Sequence, residues 1–186
     1  FLMKFSFSPY EVKHNKRSEK LVTHMLVHAD WTHLIFNMMS FYFLGDALLN
    51  LKPYPAYQIS GGLIDTYGFF QGNLHFFILY FFGGIFATIW PMIRNQNNPR
   101  YTSIGASGAV SSVIFAMMLW NPALELQLLF IPIPIPAYIF GPLYLLFEFY
   151  AFKRGKTNIA HDAHIGGAIF GIIYVLFINI DICVIK

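Results

Sequence analysis

Gly105-Ala106-Ser107-Gly108 places a hydroxyl between two glycines at the head of an apolar run that extends to Trp120. A lone serine in such a run ordinarily bonds its own helix backbone. Two further polar clusters, His33 with Asn37 and His161 with His164, also sit at the heads of apolar runs. Whether the three meet depends on how many times the chain crosses a membrane between them.

That the chain lies in a membrane follows from composition. Of its 186 residues, 56% are hydrophobic, 19% aromatic and only 11% charged, against about 25% charged in ordinary soluble domains. The implied fold class is all-α, a polytopic transmembrane helix bundle, with the lipid bilayer as its first partner. The single cysteine, Cys183, has no partner and defines no disulfide framework. A net charge of +3 spread over loops, without a nucleic-acid motif, excludes nucleic acid as a partner. No signal peptide is visible, and the opening Phe1-Leu2-Met3 reads as the tail of an earlier span. Residues 1–186 are therefore expected to form one membrane domain, incomplete at its N-terminus.

Five spans are expected, at about 34–51, 73–93, 105–120, 137–152 and 163–180. Residues 4–20, rich in lysine, read as a plain solvated loop. Residues 52–72, broken by Pro53, Pro55, Gly61, Gly62, Gly68 and Gly72, read as a long one. Asp46 should sit near the far interface or face a polar partner. The third span stops at Asn121-Pro122 and is too short to reach both surfaces. Its head must therefore lie below the surface, lining a water-filled cavity inside the protein. Ile131-Pro132-Ile133-Pro134-Ile135-Pro136 cannot be helical and reads as an extended connection.

Successive spans cross in opposite directions, so the first, third and fifth begin at the same surface. Their opening turns carry His33 and Asn37, then Ser107, then His164. His33 and Asn37 share a helical face. His164, Gly167 and Gly171 form a thin stripe, matched by Gly105, Gly108, Ser111 and Ser112 around the serine. Such small-residue surfaces let helices approach closely enough for a serine–histidine hydrogen bond. His164 could then take the proton of Ser107 as the serine attacks an acyl carbon, and return it to the leaving group. The Asn37 amide, His33 and backbone N–H groups at the head of the third span could hold the oxyanion. With no carboxylate seen in a matching span, the expected unit is a dyad. His28, Asp30 and His161 are placed near the mouth, where they would hold water. No cofactor or metal is expected.

Two rival classes are open on the residues alone. Four histidines, His28, His33, His161 and His164, could serve a metal site or transporter, although His-Glu-x-x-His and paired broken helices are absent. A non-catalytic, client-binding membrane protein could use the same scaffold. The presence of both Ser107 and His164 separates it from an enzyme.

The pattern resembles the rhomboid intramembrane serine proteases. The resemblance rests on His28 to Asn37 with His-x-x-x-Asn, on Gly105-Ala106-Ser107-Gly108, and on Ala163 to Gly171 with Ala-His-x-x-Gly-x-x-x-Gly. It implies a six-helix core whose first helix precedes Phe1. It implies Ser107 as nucleophile, His164 as general base, His33 and Asn37 at the oxyanion, and Gly105, Gly108, Gly167 and Gly171 in support. The reaction implied is hydrolysis of a peptide bond in or beside the transmembrane helix of a client protein, and the setting implied is a bacterial inner membrane. The chain departs from the pattern at Ser111, where many members have an aromatic residue, and at Glu19-Lys20, where a Trp-Arg pair is common. The resemblance places the site at the outer surface; the lysine- and arginine-rich flanks on the site's own side point to the cytoplasm.

Overall fold

A computed structural model of the protein describes residues 2–128, 131–155 and 159–179. Cys183 and the last residue expected in the fifth span, Ile180, lie outside the described residues.

The bundle is built around α8 (Ser107–Trp120), nearly all of whose residues are buried. It starts at Ser107 because Gly105, with φ +116°, turns the chain in a region closed to most side chains. It ends where Asn121-Pro122 breaks it. At about 1.5 Å per residue this helix spans only about 21 Å. Around it pack α4 (Trp31–Asn50), α6 (Phe69–Phe86), α9 (Ala137–Arg154) and α10 (His161–Ile178). Small residues permit the closeness. A β-carbon at Gly83 would lie 2.4 Å from Ser112 Oγ, and one at Gly171 would lie 2.1 Å from the Ser112 carbonyl oxygen. Ser112 Oγ also donates to the Leu79 carbonyl at 2.9 Å, so the α6–α8 seam is satisfied as well as thin.

Leu48, Leu63, Leu79, Val113, Met117 and Ala168 form a fully buried core at the level of α8's later turns. Outward-facing Trp31, Phe69, Phe70, Leu146 and Phe177 are exposed, as side chains solvated by lipid would be. By length and composition, Phe69–Asn95 and His161–Ile178 suffice to cross a bilayer.

The segments read as loops are more structured than their composition suggests. In the N-terminal region the chain forms α1 (Leu2–Phe5), α2 (Pro9–His14), α3 (Lys20–Thr23) and a 3-10 turn at His24–Leu26. Pro9 opens α2, and Ser8 Oγ accepts from the Glu11 N–H at 3.3 Å. Lys20 is buried rather than solvated. Its ammonium meets Glu11 at 2.8 Å and donates to the carbonyls of Met3 at 2.9 Å and Ser6 at 3.1 Å. Phe7 pairs backbone-to-backbone with Ser103, which ties this segment to the approach of α8.

Residues 52–72 hold a 3-10 turn at Pro55–Tyr57 and α5 (Leu63–Tyr67). Their loop is pinned from the foot of α8. Trp120 Nε1 donates to the Gly61 carbonyl at 2.8 Å, and Asn121 brackets Ser60, accepting from its N–H at 2.7 Å and donating to its carbonyl at 3.2 Å. After α6 the chain bends and continues as α7 (Ile89–Asn95). Asp46 accepts from Asn50 Nδ2 at 2.7 Å in the last turns of α4. The proline-rich stretch is extended, as β2 (Ile131–Pro136), and it pairs antiparallel with β1 (Glu125–Leu128) in a register of Glu125 with Pro136 and Leu126 with Ile135. Prolines at alternate positions leave N–H donors along one edge only, which suits a two-stranded hairpin.

Candidate active site

Three helices bring the polar clusters together. Ser107 is the first residue of α8, His164 lies in the first turn of α10, and His33 and Asn37 lie in the first two turns of α4. All four line one cavity of about 1060 Å³, together with Tyr101, Ser103, Ser111 and Tyr144.

The closest approach is between α8 and α10. A β-carbon at Gly167 would stand 1.9 Å from the Gly108 carbonyl oxygen, and one at Gly108 would stand 2.6 Å from Ala87 Cβ. With Gly171 against Ser112, these contacts hold the two backbones at a spacing only glycine allows. At that spacing Ser107 Oγ and His164 Nε2 are 2.7 Å apart.

A carboxylate completes the arrangement. Glu148, buried in the later turns of α9, places Oε1 at 3.1 Å from His164 Nδ1 and Oε2 at 2.6 Å from His161 Nδ1. An ionised carboxylate can only accept, so both Nδ1 atoms carry the proton. In its neutral form His164 then presents a bare Nε2, which accepts from the Ser107 hydroxyl. The expectation that no carboxylate reaches the histidine is thus corrected. Glu148 belongs to α9, which runs opposite to the spans that begin at the site's surface and brings its C-terminal end to that depth. His161 is likewise corrected: it is buried against Glu148 rather than at the mouth.

His33 and Asn37 form the facing wall. Asp30 caps α4 by accepting from the His33 N–H at 2.7 Å. The His33 ring lies so close over Gly105 that a β-carbon there would be 2.5 Å from Cε1. Gly105 is therefore required twice, for its backbone angle and for this contact. The buried Asn37 amide donates to the His33 carbonyl at 2.8 Å within its own helix, leaving its second N–H for other use. His24 anchors the turn before the serine: its carbonyl accepts from the Gly105 N–H at 3.0 Å, and its Nδ1 meets the Lys20 carbonyl at 3.0 Å. Burial holds the His24 imidazole below the ordinary histidine range, and burial does the same to His28, whose ring stands edge-on to His33 at 5.2 Å.

Glu148, His161 and His164 are also of the donor types a metal ion would choose, with one ligand atom of each within 4.8 Å of the others. Here both histidines instead hydrogen-bond the Glu148 carboxylate, one to each oxygen.

A model of the Rhomboid domain family matches residues 15–179. The chain belongs to the rhomboid family. It is 27% identical over 152 residues, 82% of its length, to "RHOMBOID-like protein 12, mitochondrial" of Arabidopsis thaliana, of which it covers 44%. It is 27% identical over 139 residues, 67% of its length, to "Presenilin-associated rhomboid-like protein, mitochondrial" of Bos taurus, of which it covers 32%. The chain thus spans less than half the length of either relative. Both names say mitochondrial, and the bacterial setting expected from the sequence finds no support in them.

Within this rhomboid bundle the position four residues after Ser107 is filled differently from many members. Ser111 is buried, and the aromatic side chain beside it comes from another helix: Tyr144 of α9, whose hydroxyl lies close to both Ser111 and Glu148. Sequence reasoning missed Glu148, Tyr144 and His24. For Glu148 a signal was available, since a lone carboxylate inside an apolar span implies a polar partner at the same depth.

Proposed function

We propose that this rhomboid is an intramembrane serine endopeptidase that hydrolyses peptide bonds in or next to transmembrane helices of client proteins. The observation that carries this reading is the 2.7 Å contact between Ser107 Oγ and His164 Nε2 at the wall of a cavity inside the bundle. Ser107 attacks the scissile carbonyl while His164 takes its proton, and His164 then protonates the leaving amine. A water activated by the same imidazole releases the acyl group. The oxyanion is held by the second N–H of Asn37, by His33 and by backbone N–H groups in the first turn of α8, where the helix dipole also favours negative charge. Gly108, Gly167 and Gly171 serve by keeping the two reacting side chains at bonding distance, and Gly105 by turning the chain into α8 beneath the His33 ring.

The cavity explains how hydrolysis is compatible with a membrane. It is lined by Asp30, Thr32, Ser40, Arg100 and Ser103 as well as by the reacting groups, so water has partners along its walls. The mitochondrial names of both relatives favour a mitochondrial membrane over a bacterial one as the setting.

The test is cleavage of a panel of transmembrane substrates in liposomes by the wild type, Ser107→Ala and His164→Ala. The reading expects cleavage by the wild type and its loss in both variants, with unchanged thermal unfolding. Substrates that bind but stay uncut by all three proteins would replace it with the non-catalytic client-binding reading.

A further inference from the structure

We propose that Glu148 is a positioning residue for His164, and that His161, by sharing the carboxylate, fixes the side of the bundle on which it acts. This inference rests on the peptidase reading. It extends the expected pair of residues to a Ser107–His164–Glu148 chain braced by His161.

The argument starts from the cost of the carboxylate. A carboxyl group buried among helices is disfavoured unless donors reach its oxygens. Glu148 is 3% exposed, and each of its oxygens receives one imidazole N–H, Oε2 from His161 at 2.6 Å and Oε1 from His164 at 3.1 Å. His161 and His164 are three residues apart and so share a face of α10. The shorter bond is to His161, which is the more buried of the two. His161 thus anchors the carboxylate, and the second oxygen is left aimed at the residue whose Nε2 faces the serine.

Two consequences follow for chemistry. The bond to Oε1 keeps the proton on His164 Nδ1, so that Nε2 is a lone pair and not a donor; the wrong tautomer cannot take the serine's proton. When His164 does take it, the imidazolium forms beside a carboxylate already in place, so the interaction is strongest as charge develops. A purely architectural tie between α9 and α10 would need only the His161 bond. A metal ion on the same three groups would bind His164 Nδ1, drive the proton to Nε2 and abolish the base.

The experiment uses the full chain in liposomes and in detergent micelles, comparing wild type with Glu148→Gln, Glu148→Asp and His161→Gln. Cleavage is followed for kcat and KM, with and without a chelator, and the tautomer is read from histidine ¹⁵N shifts in a Ser107→Ala background that does not depend on turnover. The expected result is a kcat for Glu148→Gln lower by about 10²–10⁴-fold with KM within about threefold. At least tenfold of that loss should return in Glu148→Asp. His164 should be Nδ1-protonated in the Ser107→Ala parent and shift towards Nε2–H when Glu148→Gln is added. His161→Gln should lose about tenfold or more in kcat.

Cleavage by Glu148→Gln within threefold of wild type overturns the proposal, as does a parent His164 protonated on Nε2, or a rate changed tenfold by the chelator. If Glu148→Gln does not fold, the Glu148→Asp rate and the parent tautomer decide. Absence of cleavage in every protein, with the Nδ1–H tautomer still present, would count against the peptidase reading and leave the positioning geometry standing.

Discussion

Substituting Gly167 by alanine should silence the site while leaving the bundle folded. The added β-carbon would lie 1.9 Å from the Gly108 carbonyl oxygen, 2.8 Å from its carbon and 3.3 Å from its Cα. All three obstacles are backbone, so no side-chain rotation relieves them. Contacts under 3.0 Å are essentially never seen, so α8 and α10 must part by about 1.1 Å or more at this level. Gly108 adjoins Ser107, and His164 lies one turn from Gly167, so most of that movement reaches Ser107 Oγ and His164 Nε2. Their separation would grow from 2.7 Å to about 3.8 Å, beyond hydrogen-bond reach. Loss of proton transfer is worth about 10²–10⁴ in rate, whereas overpacking a helix seam costs about 1–3 kcal/mol of stability. The assay is cleavage of a model transmembrane substrate in liposomes, with thermal unfolding followed in parallel by tryptophan fluorescence. Gly141→Ala is the control. It is also a helical glycine, but its β-carbon would meet only Met118 Sδ at 3.3 Å and Phe115 Cε1 at 3.7 Å, both on adaptable side chains. That control should cleave at the wild-type rate. A Gly167→Ala protein that cleaves within about threefold of wild type would refute the claim that helix spacing sets the Ser107–His164 contact.

Further expectations concern the supports of the site. Gly105→Ala must adopt φ +116° and meets the His33 ring at 2.5 Å; it should lower kcat by about tenfold or more through displaced oxyanion groups, read in the same cleavage assay. Asn121→Ala removes both bonds to Ser60 far from the serine, so it should cost about 1–3 kcal/mol in thermal unfolding with kcat/KM unchanged at low temperature. Lys20→Ala removes the buried ammonium that donates to the Met3 and Ser6 carbonyls and meets Glu11, and should expose the Leu2–Ser8 segment to limited proteolysis. Burial depresses the His24 imidazole, so the unfolded chain binds more protons and stability rises with pH through about 6.5. Unfolding should therefore occur at lower temperature at pH 5.5 than at pH 7.5, by a smaller margin in His24→Asn.

What the sequence made legible was whatever depends on counting crossings. Ser107, His164, His33 and Asn37 occupy the opening turns of spans that begin on one side, and a common cavity follows from direction and depth alone. The glycine stripe was legible for a similar reason, since residues three and four apart must share a face. Glu148 was hidden by the same counting, because it belongs to a span that ends, rather than starts, at the site. His161 reads as a mouth residue from its place before the fifth span, yet α10 begins at His161 itself and turns it inward. Lys20 was hidden because charge in a composition reads as solvation, whereas three acceptors contributed by Met3, Ser6 and Glu11 allow it to be buried. The hairpin of β1 with β2 depends on a partner strand whose sequence, Glu125-Leu126-Gln127-Leu128, carries only a short alternation.

The most direct test of the central claim is labelling by a fluorophosphonate probe in detergent micelles, with the modified residue located by mass spectrometry in wild type and His164→Ala. The account predicts a single phosphonylated residue, Ser107, in the wild type, and labelling slower by about 10²-fold or more without the histidine. A Ser107 that stays unlabelled in folded wild type, or that labels equally well in His164→Ala, would contradict it.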